Sequence, residues 1–92
     1  MAMLLHEIWE EPDDGGQMLP GLCFAGPDGN GFRALRGSGS RLLATFLAAS
    51  QFEAMTKYYK VVGYGEYVND ESWSREPYSQ EAVRRQSIGR AV

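Results

Sequence analysis

Between Ser50 and Gly63 the apolar residues Phe52, Met55, Tyr59 and Val62 recur at spacings of three, four and three. That is the period of a helix with ~3.6 residues per turn. Ala54 and Tyr58 widen one side of the stripe, and Glu53, Thr56, Lys57 and Lys60 fall opposite. Ser50 and Glu53 have the S-x-x-E spacing of a capping box, in which the serine hydroxyl accepts from the Glu53 amide and the carboxylate reaches back to the amide of Ser50. Glu53 and Lys57 stand four apart in the favourable order, with Lys57 and Lys60 near the negative end of the helix dipole. Gly63 sits where a left-handed C′ residue is wanted, and Tyr64 can fold back on the last turn. The pattern predicts one helix over 50–63, the main helix of the chain.

Shorter apolar runs predict strands. Residues 3–9 hold Leu5, Ile8 and Trp9 in a run too short for a stable helix, and 19–25 alternates Leu22 and Phe24 against Cys23 and Ala25. Between them EEPDDGGQ is a turn cluster, so the two runs read as a hairpin with a long acidic tip. GPDG at 26–29 has the Pro and Gly placement of a tight turn. NGFRALR, 30–36, reads either as one helical turn with Phe32 and Leu35 inward or as a short strand, and GSGS at 37–40 is a flexible break. In RLLATFLAA, 41–49, Leu42, Ala44, Phe46 and Ala48 make one face and Leu43, Thr45 and Leu47 the other. Two apolar faces predict a central strand, covered on one side by the helix and on the other by the C-terminal segment or a second copy of the chain. Residues 64–79 are rich in Tyr, Trp and turn formers and are expected to wrap the edge of the core. Ser79 can cap a last short helix over 80–86, with 88–92 as a disordered tail.

The 92 residues suit one domain, residues 1–92, with 43% hydrophobic and 23% charged residues, the proportions of an ordinary soluble protein. A chain this short has a modest core. The expected class is α+β: a small, mainly antiparallel sheet of three to four strands on one main helix, with an aromatic C-terminal segment. No apolar run approaches the ~20 residues that cross a bilayer. The N-terminus lacks a basic region before its apolar residues and turns acidic at once, unlike a signal peptide. With one cysteine and no sign of secretion, the cytoplasm is the expected compartment. The net charge of −3 is unevenly spread: residues 1–30 hold six acids and no Lys or Arg, whereas 31–62 set five basic residues against Glu53. This asymmetry implies internal charge complementarity or a head-to-tail self-contact. It speaks against nucleic-acid binding through Arg33, Arg36, Arg41, Lys57 and Lys60, for which a high-pI domain is expected.

Candidate chemistry is sparse. His6 is the only histidine, so an ordinary zinc site cannot be assembled within one chain, and it reads first as a structural residue. Cys23 has no Lys, Arg or His within several residues and reads as a small buried hydrophobe, although a Cys23–His6 pair across the hairpin is conceivable. The acidic tip lacks the spacing of a calcium loop, and no glycine-rich phosphate cradle or nucleophile motif is present. No catalytic residue, metal or cofactor is therefore assigned. What stands out is aromatic: Tyr58, Tyr59, Tyr64, Tyr67, Trp73 and Tyr78 crowd one stretch beside Lys60 and Arg75. Such residues dominate interface energetics, and they also complete small cores.

The stretch SQFEAMTKYYKVVGYGEYVND followed by EPYSQE resembles a group of small uncharacterised bacterial proteins, stand-alone chains of about this length with an F-E-A-M-T-x-Y-Y helix and a G-x-G-E-Y exit. The resemblance covers mainly residues 41–80. It implies a bacterial, cytoplasmic single domain and transfers no activity or catalytic residue. The expected role is a non-catalytic protein-interaction or assembly module acting as a homodimer or with a protein partner. The candidate binding residues are Tyr58, Tyr64, Tyr67, Trp73, Tyr78 and His6. The alternative is a small-molecule or enzymatic site between the aromatic loop and the main helix, drawing on Tyr58, Tyr67 and Trp73 with His6 or Cys23.

Overall fold

The computed structural model describes residues 2–35 and 39–90. Strands β1 (Leu4–Pro12), β2 (Met18–Phe24) and β3 (Arg41–Ala48) form an antiparallel sheet in the order β2-β1-β3. Helices α1 (Asn30–Ala34), α2 (Gln51–Val62) and α3 (Gln80–Arg90) complete an α+β fold, with 3-10 turns at Pro27–Gly29 and Ser72–Arg75. The Cα atoms span 41 × 36 × 17 Å. The short axis has room for a sheet and one helix layer, since packed layers lie ~10 Å apart.

The hairpin is tighter than its composition predicts. Glu10, Glu11 and Pro12 continue β1 rather than forming the turn, and Pro12 pairs with Met18. Only residues 13–17 make the tip. There Asp13 Oδ1 accepts from the amides of Gly15 at 2.9 Å and Gln17 at 2.8 Å, and Gly16 takes φ +83°. That carboxylate serves the turn. Pro20 sits within β2, in register with Glu10, as an edge strand tolerates.

α2 has the predicted ends. Ser50 Oγ accepts from the Glu53 amide at 3.1 Å, and Gly63 closes the helix at φ +80° with its amide on Tyr59 O. Two details differ. The Glu53 carboxylate reaches one residue further back, accepting from Ala49 N at 2.6 Å. Lys57 donates to Leu47 O at 2.6 Å instead of pairing with Glu53. The buried line of α2 is Ala54 and Tyr58, not the Phe52–Met55–Tyr59–Val62 stripe, whose members are half-buried. A small side chain at Ala54 lets the helix approach the sheet. Phe52 and Tyr59 turn sideways to Tyr67, with ring centroids at 5.3 and 5.1 Å.

The core between α2 and the sheet is thin. Ala2, Leu4, Ile8, Ala25, Ala48, Ala49, Ala54 and Tyr58 are buried, and of these only Ile8 is both large and fully enclosed. The expected complementarity between the acidic first third and the basic middle is seen in Glu7 with Arg33 at 2.9 Å and Glu10 with Arg41 at 2.5 Å, while Asp28 pairs instead with Arg85 of the C-terminal third at 2.8 Å.

Three further expectations are corrected. Residues 30–34 are helical with Phe32 half-buried, but Leu35 is 80% exposed because the helix ends before it can turn inward. The last helix does not stop at 86: α3 runs through Gly89 to Arg90, so most of the expected tail at 88–92 is helical, and residues 91–92 lie outside the described residues. Arg36 and the first two residues of the GSGS break, 37–38, also lie outside them.

α3 is held by a residue with no apolar signal. Gln86, 5% exposed, places its carboxamide at the end of the β1–β2 ladder, where Oε1 accepts from Leu5 N at 2.9 Å. Its Nε2 donates to Ala25 O at 3.0 Å and Leu5 O at 2.8 Å. The side chain thereby supplies the hydrogen bonds that the next strand pair would have made.

Candidate functional site

The main correction to the topology creates the candidate surface. β3 is an edge strand; β1 is central. One face of the sheet carries Leu4, His6 and Ile8 with Phe24, Leu22, Ala48, Phe46 and Ala44, and α2 lies over it. The other carries Leu5, Glu7 and Trp9 with Cys23, Leu47, Thr45 and Leu42. On that second face Leu47 is 49% exposed and Leu42 46%, and Thr45 is exposed. Leu5 directs its amide toward Gln86 and its carbonyl toward Ala25 on the β2 side. Its partner Leu47 is therefore in a non-hydrogen-bonded pair and directs its own polar groups to the open edge. Lys57 sits on that Leu47 carbonyl. A bulge between Ile8 and Trp9 interrupts the register beside Leu43.

The predicted aromatic residues split into two groups. On the covered face, His6 is 2% exposed and stacks on Phe46, centroids 5.2 Å apart and planes within 8°. It leans on Phe24 at 5.1 Å and Tyr78 at 5.7 Å. Its Nδ1 lies 3.0 Å from Leu4 O and its Nε2 3.0 Å from Tyr78 Oη. A carbonyl can only accept, so Nδ1 carries the proton and Tyr78 donates to Nε2. Burial lowers the pKa of His6, with Lys57 acting in the same direction against the Leu4 carbonyl and Glu53. Tyr78 is pushed up to about 12 by burial and then by the Glu53 charge. Tyr78 reaches this position because its amide donates to Ala49 O at 2.8 Å, beside the Ser50–Pro77 bridge.

The second group surrounds the end of α2. Tyr58, 8% exposed, packs on Tyr59 and Tyr64, and Tyr67 joins Phe52 and Tyr59. Asn69 fastens the loop by donating to the Tyr67 hydroxyl at 2.9 Å, and its own carbonyl accepts from Arg75. Arg75 lies 4.1 Å over the Phe52 ring. A groove of about 650 Å³ runs between α2 and this loop, lined by Phe52, Thr56, Tyr59, Lys60, Glu66 and Tyr67. Tyr58 and Trp73, expected in such a site, do not line it. Tyr64 and Trp73, each 55% exposed, are the outward aromatics of the set.

Cys23 and His6 do not meet. The register sets Cys23 against Glu7 and His6 against Phe24, on opposite sheet faces. Cys23 Sγ lies 3.7 Å from Glu7 Oε1, and burial together with that carboxylate raises its pKa, the reverse of an activated thiol. Among the described residues no cluster of His, Cys, Asp and Glu could hold a metal ion, and no helix is long and apolar enough to cross a membrane. Of the basic residues weighed for nucleic acid, Arg33 is engaged by Glu7, Arg41 by Glu10 and Lys57 by Leu47 O.

The sequence marks Phe24 and Phe46 only as strand-face residues, and nothing in it marks Gln86. The ring partners of His6 could have been found from the hairpin register once the tip was placed at 13–17. Gln86 carries no such signal, since a glutamine in a polar helix reads as a solvated residue. In comparisons with known proteins, the chain matches no family model, no curated protein and no solved structure.

Proposed function

We propose that the protein is a non-catalytic assembly module that pairs with a second copy through the open edge of β3. The supporting observation is that edge: among the described residues no strand pairs with the outer side of β3, and its open face presents Leu42 and Leu47 half in water. Unpaired strand edges are templates for another strand, and proteins usually guard them with charge. Here the only charged residue within β3 is Arg41 at its start. Antiparallel pairing of two copies sets the two Arg41 side chains at opposite ends and joins the exposed leucines into one apolar stripe. Pairing must displace the Lys57–Leu47 hydrogen bond, a modest exchange of one donor for a backbone amide. The alanine-rich core is a second support, since a small domain with few large buried side chains gains from association. A cytoplasmic setting agrees with this reading and follows from the sequence expectations alone.

Sedimentation equilibrium tests it. The wild-type chain is expected to dimerise in the micromolar range, and Leu47→Lys to stay monomeric with an unchanged circular dichroism spectrum. A wild-type chain that remains monomeric at high micromolar concentration would overturn the reading.

A further inference from the structure

The guard that β3 lacks in its own sequence comes from α2. Leu47 turns its polar groups to the open edge, and by the strand alternation Thr45 and, just past β3, Ala49 do the same. Three of these outward groups already have partners. Ala49 O accepts from the amide of Tyr78 at 2.8 Å, and Ala49 N donates to the Glu53 carboxylate at 2.6 Å. Leu47 O accepts from Lys57 Nζ at 2.6 Å. Glu53 and Lys57 stand four apart on α2, a spacing at which they could pair with each other, yet each engages the edge instead. The Lys57 stem passes the Phe46 ring, with Nζ 6.0 Å from its centroid, so the ammonium reaches the edge from the covered face.

The two caps differ in kind. The bonds at Ala49 belong to the place where the chain itself returns, beside the Ser50–Pro77 bridge, and they close that end of the edge. Lys57 is a flexible side chain whose bond to Leu47 is exposed to water. We infer that Lys57 is the gate of this edge: held on Leu47 O it takes the bond that an incoming backbone amide would make, and lifting it opens the stretch from Thr45 to Leu47. The inference rests on the pairing proposed above and names what controls it. A lysine ammonium left in a seam between two strands is poorly solvated, which is why lysine at a sheet edge opposes strand addition. In a two-fold dimer each copy contributes the same edge, so two Lys57 side chains are lifted for every dimer formed.

Sedimentation equilibrium on the full chain compares the wild type with Lys57→Met, Lys57→Gln and Lys57→Arg. An exposed charged hydrogen bond contributes a factor of about three, so removing two per dimer should tighten dimerisation about tenfold in Lys57→Met. Lys57→Gln should follow it, which separates loss of charge from gain of apolar surface, and Lys57→Arg should stay near the wild-type value. Adding Leu47→Lys to Lys57→Met should abolish the gain, which ties it to this edge. A wild-type chain that dimerises while Lys57→Met does so no more tightly would overturn the gate and leave the pairing itself standing. Tightening by Met but not by Gln, or a gain that survives Leu47→Lys, would overturn it as well. A monomeric wild type beside a dimeric Lys57→Met would support the gate and sink the wild-type dimer. Monomers throughout would overturn both.

Discussion

His6 is neutral in the folded chain because both ring nitrogens are matched to partners that suit one tautomer and because burial opposes charge. Its folded pKa lies below the ordinary 6.5, so in the interval between the two values the unfolded chain binds a proton that the native chain does not. Stability conferred by neutral His6 is therefore complete above 6.5 and declines as pH falls toward the folded pKa, by up to ~1.4 kcal/mol per pH unit. Urea unfolding as a function of pH should show this slope, and His6→Phe should flatten it. That variant should also lose about 1–3 kcal/mol at neutral pH, because the Tyr78 hydroxyl keeps no acceptor. Tyr78 gives the mirror case. With its pKa pushed up to about 12, ultraviolet absorbance should show it ionising well above the ordinary tyrosine value of 10, and Tyr78→Phe should remove that late step. Gly29 is needed for space rather than for its backbone angle. A Cβ there would lie 1.8 Å from Phe24 O and 2.6 Å from Arg33 Nη1. Backbone must shift to admit it, so Gly29→Ala should cost more than ~3 kcal/mol and lower the melting temperature by well over 10 °C.

Among the elements, α2 is the most autonomous and α3 the least. Ser50 and Gly63 close α2 by local hydrogen bonds, and Ser50→Ala should cost about 1 kcal/mol in thermal or chemical unfolding. α3 has its Ser79 cap, with the Ala82 amide donating to Ser79 Oγ at 3.0 Å, but little apolar surface to bury. What docks it is the Gln86 carboxamide between Leu5 and Ala25, reinforced at the surface by Arg85 and Asp28. Gln86→Leu keeps the bulk yet leaves Leu5 N and Ala25 O unsatisfied, so it should destabilise by about 2–4 kcal/mol. Hydrogen exchange at 80–90 should then rise to the level of a detached helix while α2 stays protected. If Gln86→Leu left exchange in α3 unchanged, the helix would be held by something other than this splice.

For the whole molecule the decisive fact is that, among the described residues, the β3 side of one sheet face lies open, with Leu42 and Leu47 about half exposed. A domain of this size buries little, and its largest fully enclosed hydrophobe is Ile8. Association through β3 would add burial that the monomer lacks and would couple stability to concentration. The melting temperature of the wild-type chain should therefore rise as protein concentration is raised, whereas that of Leu47→Lys should stay constant. A concentration-independent transition in both would show that the edge is simply solvated.

Local chemistry settled much of this structure from sequence. The S-x-x-E start, the glycine stop and the helical period place α2 because each acts within one or two turns, and the alternating apolar runs place all three strands within a few residues. Nothing local could say which strand lies in the middle. RLLATFLAA reads as a central strand by its two apolar faces, yet centrality depends on which neighbours pair, and β1 takes that place because both hairpin and crossover return to it. The same holds for the chemistry: His6 meets Tyr78 across 72 residues, and Gln86 meets Leu5 across 81. Such contacts leave no periodic trace in the sequence, because their partners are chosen by the packing of distant elements and not by the residues beside them.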